Sequence, residues 1–248
     1  MSFITRFRVI NDADKASLVR RLMSYSTPNF DYFYLIGLSV AMATLGLLLD
    51  SAAIVIGSML IAPLMYPILG TALGFVMVNP VVIGRSLYTL GQSLLVSVFI
   101  AMMTAFLFTH DSVLLSSEIM QRTEPSLLHF LVALIAGAAV SYVLTQPEWS
   151  DTLPGVAIAV ALIPPLATTG IGLAEGSVEI MTGAATILVL NLAGITIAAM
   201  ALFFFMDISK KQNVAVSTIR RETKKAEDER KEIAAIDRER EEKKHENI

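Results

Sequence analysis

Apolar and polar positions along the 248-residue chain are sorted into blocks rather than interleaved. A window of about 19 residues, the length a helix needs to cross roughly 30 Å of hydrocarbon, finds six apolar runs. They are Tyr32 to Leu49, Ala52 to Val78, Val81 to Phe108, Leu127 to Leu144, Leu153 to Leu173 and Val178 to Met206. Asp50-Ser51, Asn79-Pro80 and the polar link Thr145 to Asp151 punctuate them, and Trp149 in that link suits an interfacial anchor. His110 to Ser126 mixes Val113, Leu114, Leu115, Ile119 and Met120 with polar residues and reads as an interfacial helix or loop. Apolar blocks of this length, without strand-like alternation, predict an all-α fold: a polytopic membrane helix bundle of about six spans.

The second run is at odds with its own hydropathy. Gly57-Ser-Met-Leu-Ile-Ala-Pro-Leu-Met-Tyr-Pro-Ile-Leu-Gly70 is as apolar as a span, yet it holds Pro63 and Pro67. An interior proline removes a backbone hydrogen bond and clashes with the preceding turn, at roughly 3 kcal/mol or more, and lipid offers no water to repair the loss. A break is expected here, buried in protein or facing a wet cavity. The pattern recurs. Aligned without gaps, Ala53 to Gly70 falls on Gly155 to Gly172, which places Ile56, Leu60, Ile61, Pro63, Leu64 and Gly70 on Ile158, Leu162, Ile163, Pro165, Leu166 and Gly172. A similar offset brings the first run roughly onto the fourth and the third onto the sixth. The expectation is two three-segment repeats, 31–109 and 126–208, with the second segment of each broken at proline. With an odd number of crossings in each, the copies are inverted, a layout in which matched interruptions mark a midplane binding site. The plainer alternative is that proline and glycine serve only close helix packing.

Charge sets the orientation. Hydrophobic residues make up 54% of the chain and the mean hydropathy is +0.64. Between Met23 and Ser209 the only Lys or Arg residues are Arg85 and Arg122, so the net charge of -3 averages an apolar body with a charged tail. The positive-inside rule places both the leader, 1–30, and Lys210-Lys211 in the cytoplasm, which demands an even number of crossings. Six spans satisfy this, and so do four spans with two re-entrant hairpins. The leader has no compact apolar core followed by a cleavage site. It reads as an amphipathic lead-in with Phe3, Phe7, Val9 and Ile10 at the membrane surface, or as a solvated leader. The absence of cysteine excludes disulfides, thiolate metal sites and a cysteine nucleophile.

The two proline segments, Gly57 to Gly70 and Pro154 to Gly172, with the apolar runs around them from about Asp31 to Asp207, resemble the uncharacterised hydrophobic-domain family, domain of unknown function 389. The resemblance implies an integral membrane protein of prokaryotic type, hence a plasma (inner) membrane location, and supplies no substrate. Relatives that carry a soluble domain ahead of the membrane part differ from this chain, whose leader is short.

No enzyme is expected. The chain has no H-E-x-x-H, G-x-S-x-G or phosphate-loop pattern, and His110, His129 and His245 are isolated. No cofactor or metal is expected either. His129 is a functional candidate because it is ionisable and within a span, or a neutral imidazole facing the interface. No Asp or Glu falls at a span centre, which argues against a carboxylate proton relay. A broken helix exposes backbone N–H groups and carbonyls, so a site can form without charged side chains. The residues expected to bind solute are Ser58, Pro63, Tyr66, Pro67, Pro164, Pro165, Thr168, Thr169 and Asn191. Asn191 and Thr196, with Gln92, Ser93 and Ser97, either line a path or hold helices together by hydrogen bonds.

The tail, 209–248, predicts a charged cytoplasmic helix with pairs such as Glu227 and Lys231. Ile219, Ala226, Ile233 and Ile236 sketch a short coiled-coil seam. Mixed charge argues against nucleic-acid binding. The expected function is a transporter or channel for a small solute, an anion or neutral polar molecule rather than a proton-coupled cation, in a homo-oligomer within the lipid bilayer. The alternative is a membrane scaffold or sensor whose tail recruits a cytoplasmic partner.

Overall fold

The computed structural model describes residues 12–26, 28–108, 116–144 and 152–246. The leader positions Phe3 to Ile10, the stretch from His110 to Leu115, the Trp149 link and the side chains of Ile233, Ile236 and His245 lie outside the described residues. Helices account for the architecture, and no strand occurs among the described residues. In chain order they are α1 (Asp12–Tyr25), α2 (Phe30–Leu48), α3 (Ala52–Met59), α4 (Met65–Met77), α5 (Pro80–Phe108), α6 (Ser117–Met120), α7 (Leu127–Val143), α8 (Thr152–Ala174), α9 (Val178–Phe205), a 3-10 turn (Ile208–Lys211) and α10 (Gln212–Glu246). Three of them, α2, α5 and α9, are long and apolar enough to cross a membrane.

The core is apolar, and α5 adds to it a face of small and hydroxylic residues while turning its large apolar ones outward. On α5, Ser86, Thr89, Ser93, Ser97, Ala101 and Ala105 recur at helical spacing and are buried, while Leu95, Phe99, Phe106 and Leu107 on the same helix are exposed. Small and hydroxylic residues let helices approach closely and hydrogen-bond across the seam, which is how helices associate where the surroundings are as apolar as leucine. Two of these hydroxyls do so: Tyr32 Oη lies 2.8 Å from Ser93 Oγ, and Thr89 donates to the Ser26 carbonyl at 3.0 Å, whereas Ser86 Oγ and Ser97 Oγ are buried without a partner. The outward apolar belt and the three long helices are those of a protein compatible with a membrane.

At the centre lies α8. It packs on α9, α5, α2 and α7 and touches α3 and α4. The approach to α5 is close enough to need Gly170, where a Cβ would lie 2.3 Å from Ala101 Cβ and 2.9 Å from the Met102 nitrogen.

The turns that follow the two proline segments are alike. At Val78 and Gly176 the backbone is left-handed (φ 49° and 66°). The Asn79 and Ser177 N–H groups return to the Gly74 and Gly172 carbonyls at 3.1 and 2.9 Å. The Asn79 side chain accepts from Val82 N–H and the Ser177 side chain from Ile180 N–H, capping α5 and α9. One turn earlier Thr71 donates to the Pro67 carbonyl and Thr169 to the Pro165 carbonyl, both at 2.7 Å. Gly172 therefore corresponds to Gly74, not to Gly70 as in the ungapped alignment, and Pro165 to Pro67, not to Pro63. The sequence register was wrong by one helical turn, because leucine, isoleucine and alanine match one another at several offsets.

Helix α1, within the leader, is packed on the bundle. Leu18, Val19, Leu22 and Met23 of α1 are buried against α4 and α10, each large side chain contributing about 1.5–3 kcal/mol. Ala215 and Ile219 of α10 are buried on the other side of that contact. Ile219 of the expected seam is thus occupied within the chain.

Candidate functional site: two cavities divided by a helix break

The break at Pro63 has a local cause. Helix α3 ends at Met59, whose carbonyl has no i+4 donor because residue 63 is proline. Residues 60–64 lie outside any helix, and α4 begins at Met65. Pro67 then falls in the first turn of α4, where backbone N–H groups have no intrahelical partner, so its missing hydrogen costs little. The last carbonyls of α3 are met from elsewhere: Ser39 on α2 donates to the Ser58 carbonyl at 2.7 Å, and Ile61 N–H reaches the same oxygen at 3.2 Å.

The break expected at Pro164-Pro165 is absent, and α8 runs through both prolines. Pro165 leaves the Ala161 carbonyl without its helical donor, and Asn191 Nδ2 on α9 supplies one at 2.6 Å. A carbonyl only accepts, so this contact fixes the amide orientation. Asn191 Oδ1 is left buried with no partner. Adjacent prolines also confine both lost bonds to one turn, whereas Pro63 and Pro67, four apart, disturb two.

The predicted site residues separate into two groups. An inner cavity of about 430 Å³ is bordered by Pro63, Tyr66, Asn29, Asp31, Tyr32 and Leu35, and by Glu222 and Lys225 of α10. An outer cavity of about 330 Å³ is bordered by Pro164, Pro165 and Asn191, with Val55 and Met59 of α3 and with Glu118, Arg122 and His129. Ser58, Pro67, Thr168 and Thr169 border neither. Ser58 donates to its own helix at Val55, and Thr169 donates to Pro165. Thr168 Oγ1 is buried without a partner. The inner cavity lies at the start of α2 and the outer one beside α3, beyond the end of α2. A helix of that length spans roughly 28 Å, so the cavities enter the bundle from opposite ends. Met59 borders the outer cavity and Pro63 the inner one; of the residues between them Leu60 and Ile61 are exposed and Ala62 is buried.

Polar groups cluster at the outer mouth. Arg122 Nη1 lies 2.8 Å from Glu118 Oε2, neutralising a charge in a partly enclosed place. His129 Nδ1 accepts from Ser126 N–H at 3.3 Å, so in the neutral ring the proton sits on Nε2. Asp50, at the α2–α3 turn, accepts from Glu118 N–H at 2.9 Å and from Ser116 Oγ at 2.8 Å. The Glu118 N–H and then the Ser116 hydroxyl hold its carboxyl below the usual carboxylate range. Asp50, Ser39 and the Glu118–Arg122 pair were missed as site residues; the four-residue spacing of Glu118 and Arg122 was the available signal.

Comparison with known proteins assigns this arrangement to a family. The family described as Domain of unknown function (DUF389) matches residues 59–197. The chain belongs to this family. The stretch shared with DUF389 runs from Met59 at the break to α9, so it takes in Pro63, Pro67, Pro164, Pro165 and Asn191. An uncharacterised protein of Methanocaldococcus jannaschii is 30% identical over 172 residues, 69% of this chain and 53% of that protein. The chain spans about half the length of that relative. No solved structure matches.

Proposed function

We propose that the chain is an integral membrane transporter or channel for a small solute, with six spans in two inverted repeats and both termini cytoplasmic. In this reading α3 and α4 together form one interrupted span, α8 is its counterpart, and the basic ends of the chain place the inner cavity on the cytoplasmic side. The observation that supports it is that Met59 and Pro63, four residues apart at the break, border two different cavities, one beside the start of α2 and one beside α3. Four residues of extended chain reach at most about 14 Å, so a modest rearrangement of the break joins the two spaces. The outer cavity is lined by neutral hydrogen-bonding groups and the paired Glu118 and Arg122, while the inner one carries Asp31 and Glu222 against Lys225, which suits a small neutral polar solute better than an anion.

The absence of native cysteine makes the test direct. Met59→Cys is expected to react with a charged, impermeant thiol reagent only from outside, and Pro63→Cys only from inside. The purified protein in liposomes is expected to carry at least one member of a panel of small anions and polar solutes. Flux that is blocked by labelling either cysteine supports the proposal. Cysteines that stay unreactive in folded protein, with no flux, sink it and favour a scaffold whose tail binds a cytoplasmic partner.

A further inference from the structure

Repair of the Ala161 carbonyl uses one end of the Asn191 amide and leaves the other end over. Nδ2 donates to that carbonyl at 2.6 Å, while Oδ1 is buried with no partner. The residue is 5% exposed, and it borders the outer cavity together with Ala161 itself. A buried acceptor without a donor is uncommon, because it loses its hydration without a replacement. The unpaired hydroxyls of the core, Ser97 and Thr168 among them, can turn toward a carbonyl of their own helix. The Asn191 oxygen has no such freedom, since the bond made by its nitrogen fixes the amide. We propose that a ligand meets this oxygen: the outer cavity binds a small uncharged solute of the amide class, whose N–H donates to Asn191 Oδ1. The inference deepens the transport reading and rests on it for the passage of that solute, while the binding stands on the cavity alone.

The class of solute follows from what the cavity offers. An amide oxygen only accepts, so a solute that presents lone pairs to it, an anion above all, is repelled there. Glu118, the carboxylate at this border, is already paired with Arg122 at 2.8 Å, which leaves a cation without a countercharge. A donor is present as well. His129 borders the same cavity, and its Nδ1 accepts from Ser126 N–H, so the neutral ring carries its proton on Nε2. A primary amide has both an N–H for the Asn191 oxygen and a carbonyl for the imidazole N–H. The volume of about 330 Å³ lies at the small end of ligand cavities, room for a solute of a few heavy atoms.

The full chain in deuterated detergent is titrated with acetamide, acetone and acetate, three planar solutes of nearly one shape, following saturation transfer to their methyl protons by NMR. Acetamide is expected to bind saturably. Acetone and acetate, which have no N–H, are expected to bind at least about tenfold more weakly, because a site built around a hydrogen bond rejects an analogue that lacks it. N191L/P165A removes the oxygen and restores an N–H for the Ala161 carbonyl, and is expected to lose the preference for acetamide. P165A alone keeps the oxygen and is expected to bind acetamide as the parent does. If the double variant does not fold, the solute series decides the matter. No saturable acetamide signal from folded protein overturns the proposal, and so does acetone or acetate binding as well as acetamide, or an equal loss in P165A. Amide-selective binding without flux in liposomes keeps this site and sinks the transport reading; flux of other solutes without selective binding does the reverse.

Discussion

The two proline segments share a proline, a threonine one turn later, a glycine close to the next helix and a capping residue after a left-handed turn, yet one is broken and the other is continuous. The difference begins one turn before the shared proline. By the turn register Pro63 falls on Ala161, so the first segment carries a proline where the second keeps an N–H, and the chain leaves the helix at residue 60. Where both segments carry proline, at Pro67 and Pro165, the first meets it in the opening turn of a new helix, and the second meets it within α8, where the Ala161 carbonyl receives the Asn191 amide. At the position that corresponds to Asn191, α5 carries Ser93, whose hydroxyl is occupied by the Thr89 carbonyl and Tyr32.

If the two segments are equivalent below that point, they should fail alike when their shared geometry is disturbed. A Cβ at Gly74 would lie 2.9 Å from the Ile83 nitrogen, and one at Gly172 would lie 2.6 Å from the Met181 nitrogen. Gly74→Ala and Gly172→Ala are both expected to push the following helix away, at the top of the range for overpacking, about 3 kcal/mol, because the obstacle is backbone. Thermal midpoints of the two variants in one detergent check this. Similar losses sustain the structural register; a neutral Gly74→Ala beside a damaging Gly172→Ala breaks it.

The comparison is sharpened next at the amide. Asn191→Leu leaves the Ala161 carbonyl buried and unpaired, which costs about 1–3 kcal/mol. Introducing Pro165→Ala as well restores an N–H at the position that lacked one, so the double variant should recover most of that loss. The thermodynamic cycle of the two singles and the double measures the coupling. Additive effects would mean that the amide does not serve the proline, and the account of α8 given above would fail.

Much of this was legible in the residues, for identifiable reasons. Apolar blocks locate helices because their length is set by composition alone, and Asp50-Ser51 and Asn79-Pro80 end them because polar and proline residues do so everywhere. Pro63 was legible as a break. The continuity through Pro164-Pro165 was not, since the repairing donor sits thirty positions away on another helix, and no local rule connects Asn191 with Ala161. The register was lost among interchangeable aliphatic residues, although Asn79 and Ser177 as helix caps carried the signal that corrects it. The docking of α1 on α10 was hidden because charged, solvated-looking helices reveal their apolar seam only when both partners are in place.

The smallest effect is expected at Asp50, where the broken segment begins. Asp50 ties the start of the broken segment to α6 through the Glu118 N–H and the Ser116 hydroxyl, contacts that favour the carboxylate and lower its pKa. A carboxyl lowered in the folded state contributes stability that is present above its unfolded value, about 3.9, and is lost as the pH falls through the folded value. The parent should therefore lose thermal stability on acidification below about pH 4 more steeply than Asp50→Asn, which lacks the ionisable group, and the two curves should converge at the acid end. Asp50 is exposed to solvent, so the separation at neutral pH is expected to be small and to survive added salt only insofar as it comes from hydrogen bonds rather than long-range charge. Thermal midpoints from pH 6 to pH 3 test it. Parallel curves would mean that the α2–α3 turn is held by its backbone alone, and that the broken segment is anchored at its middle, where Ser26 donates to the Tyr66 carbonyl at 3.0 Å.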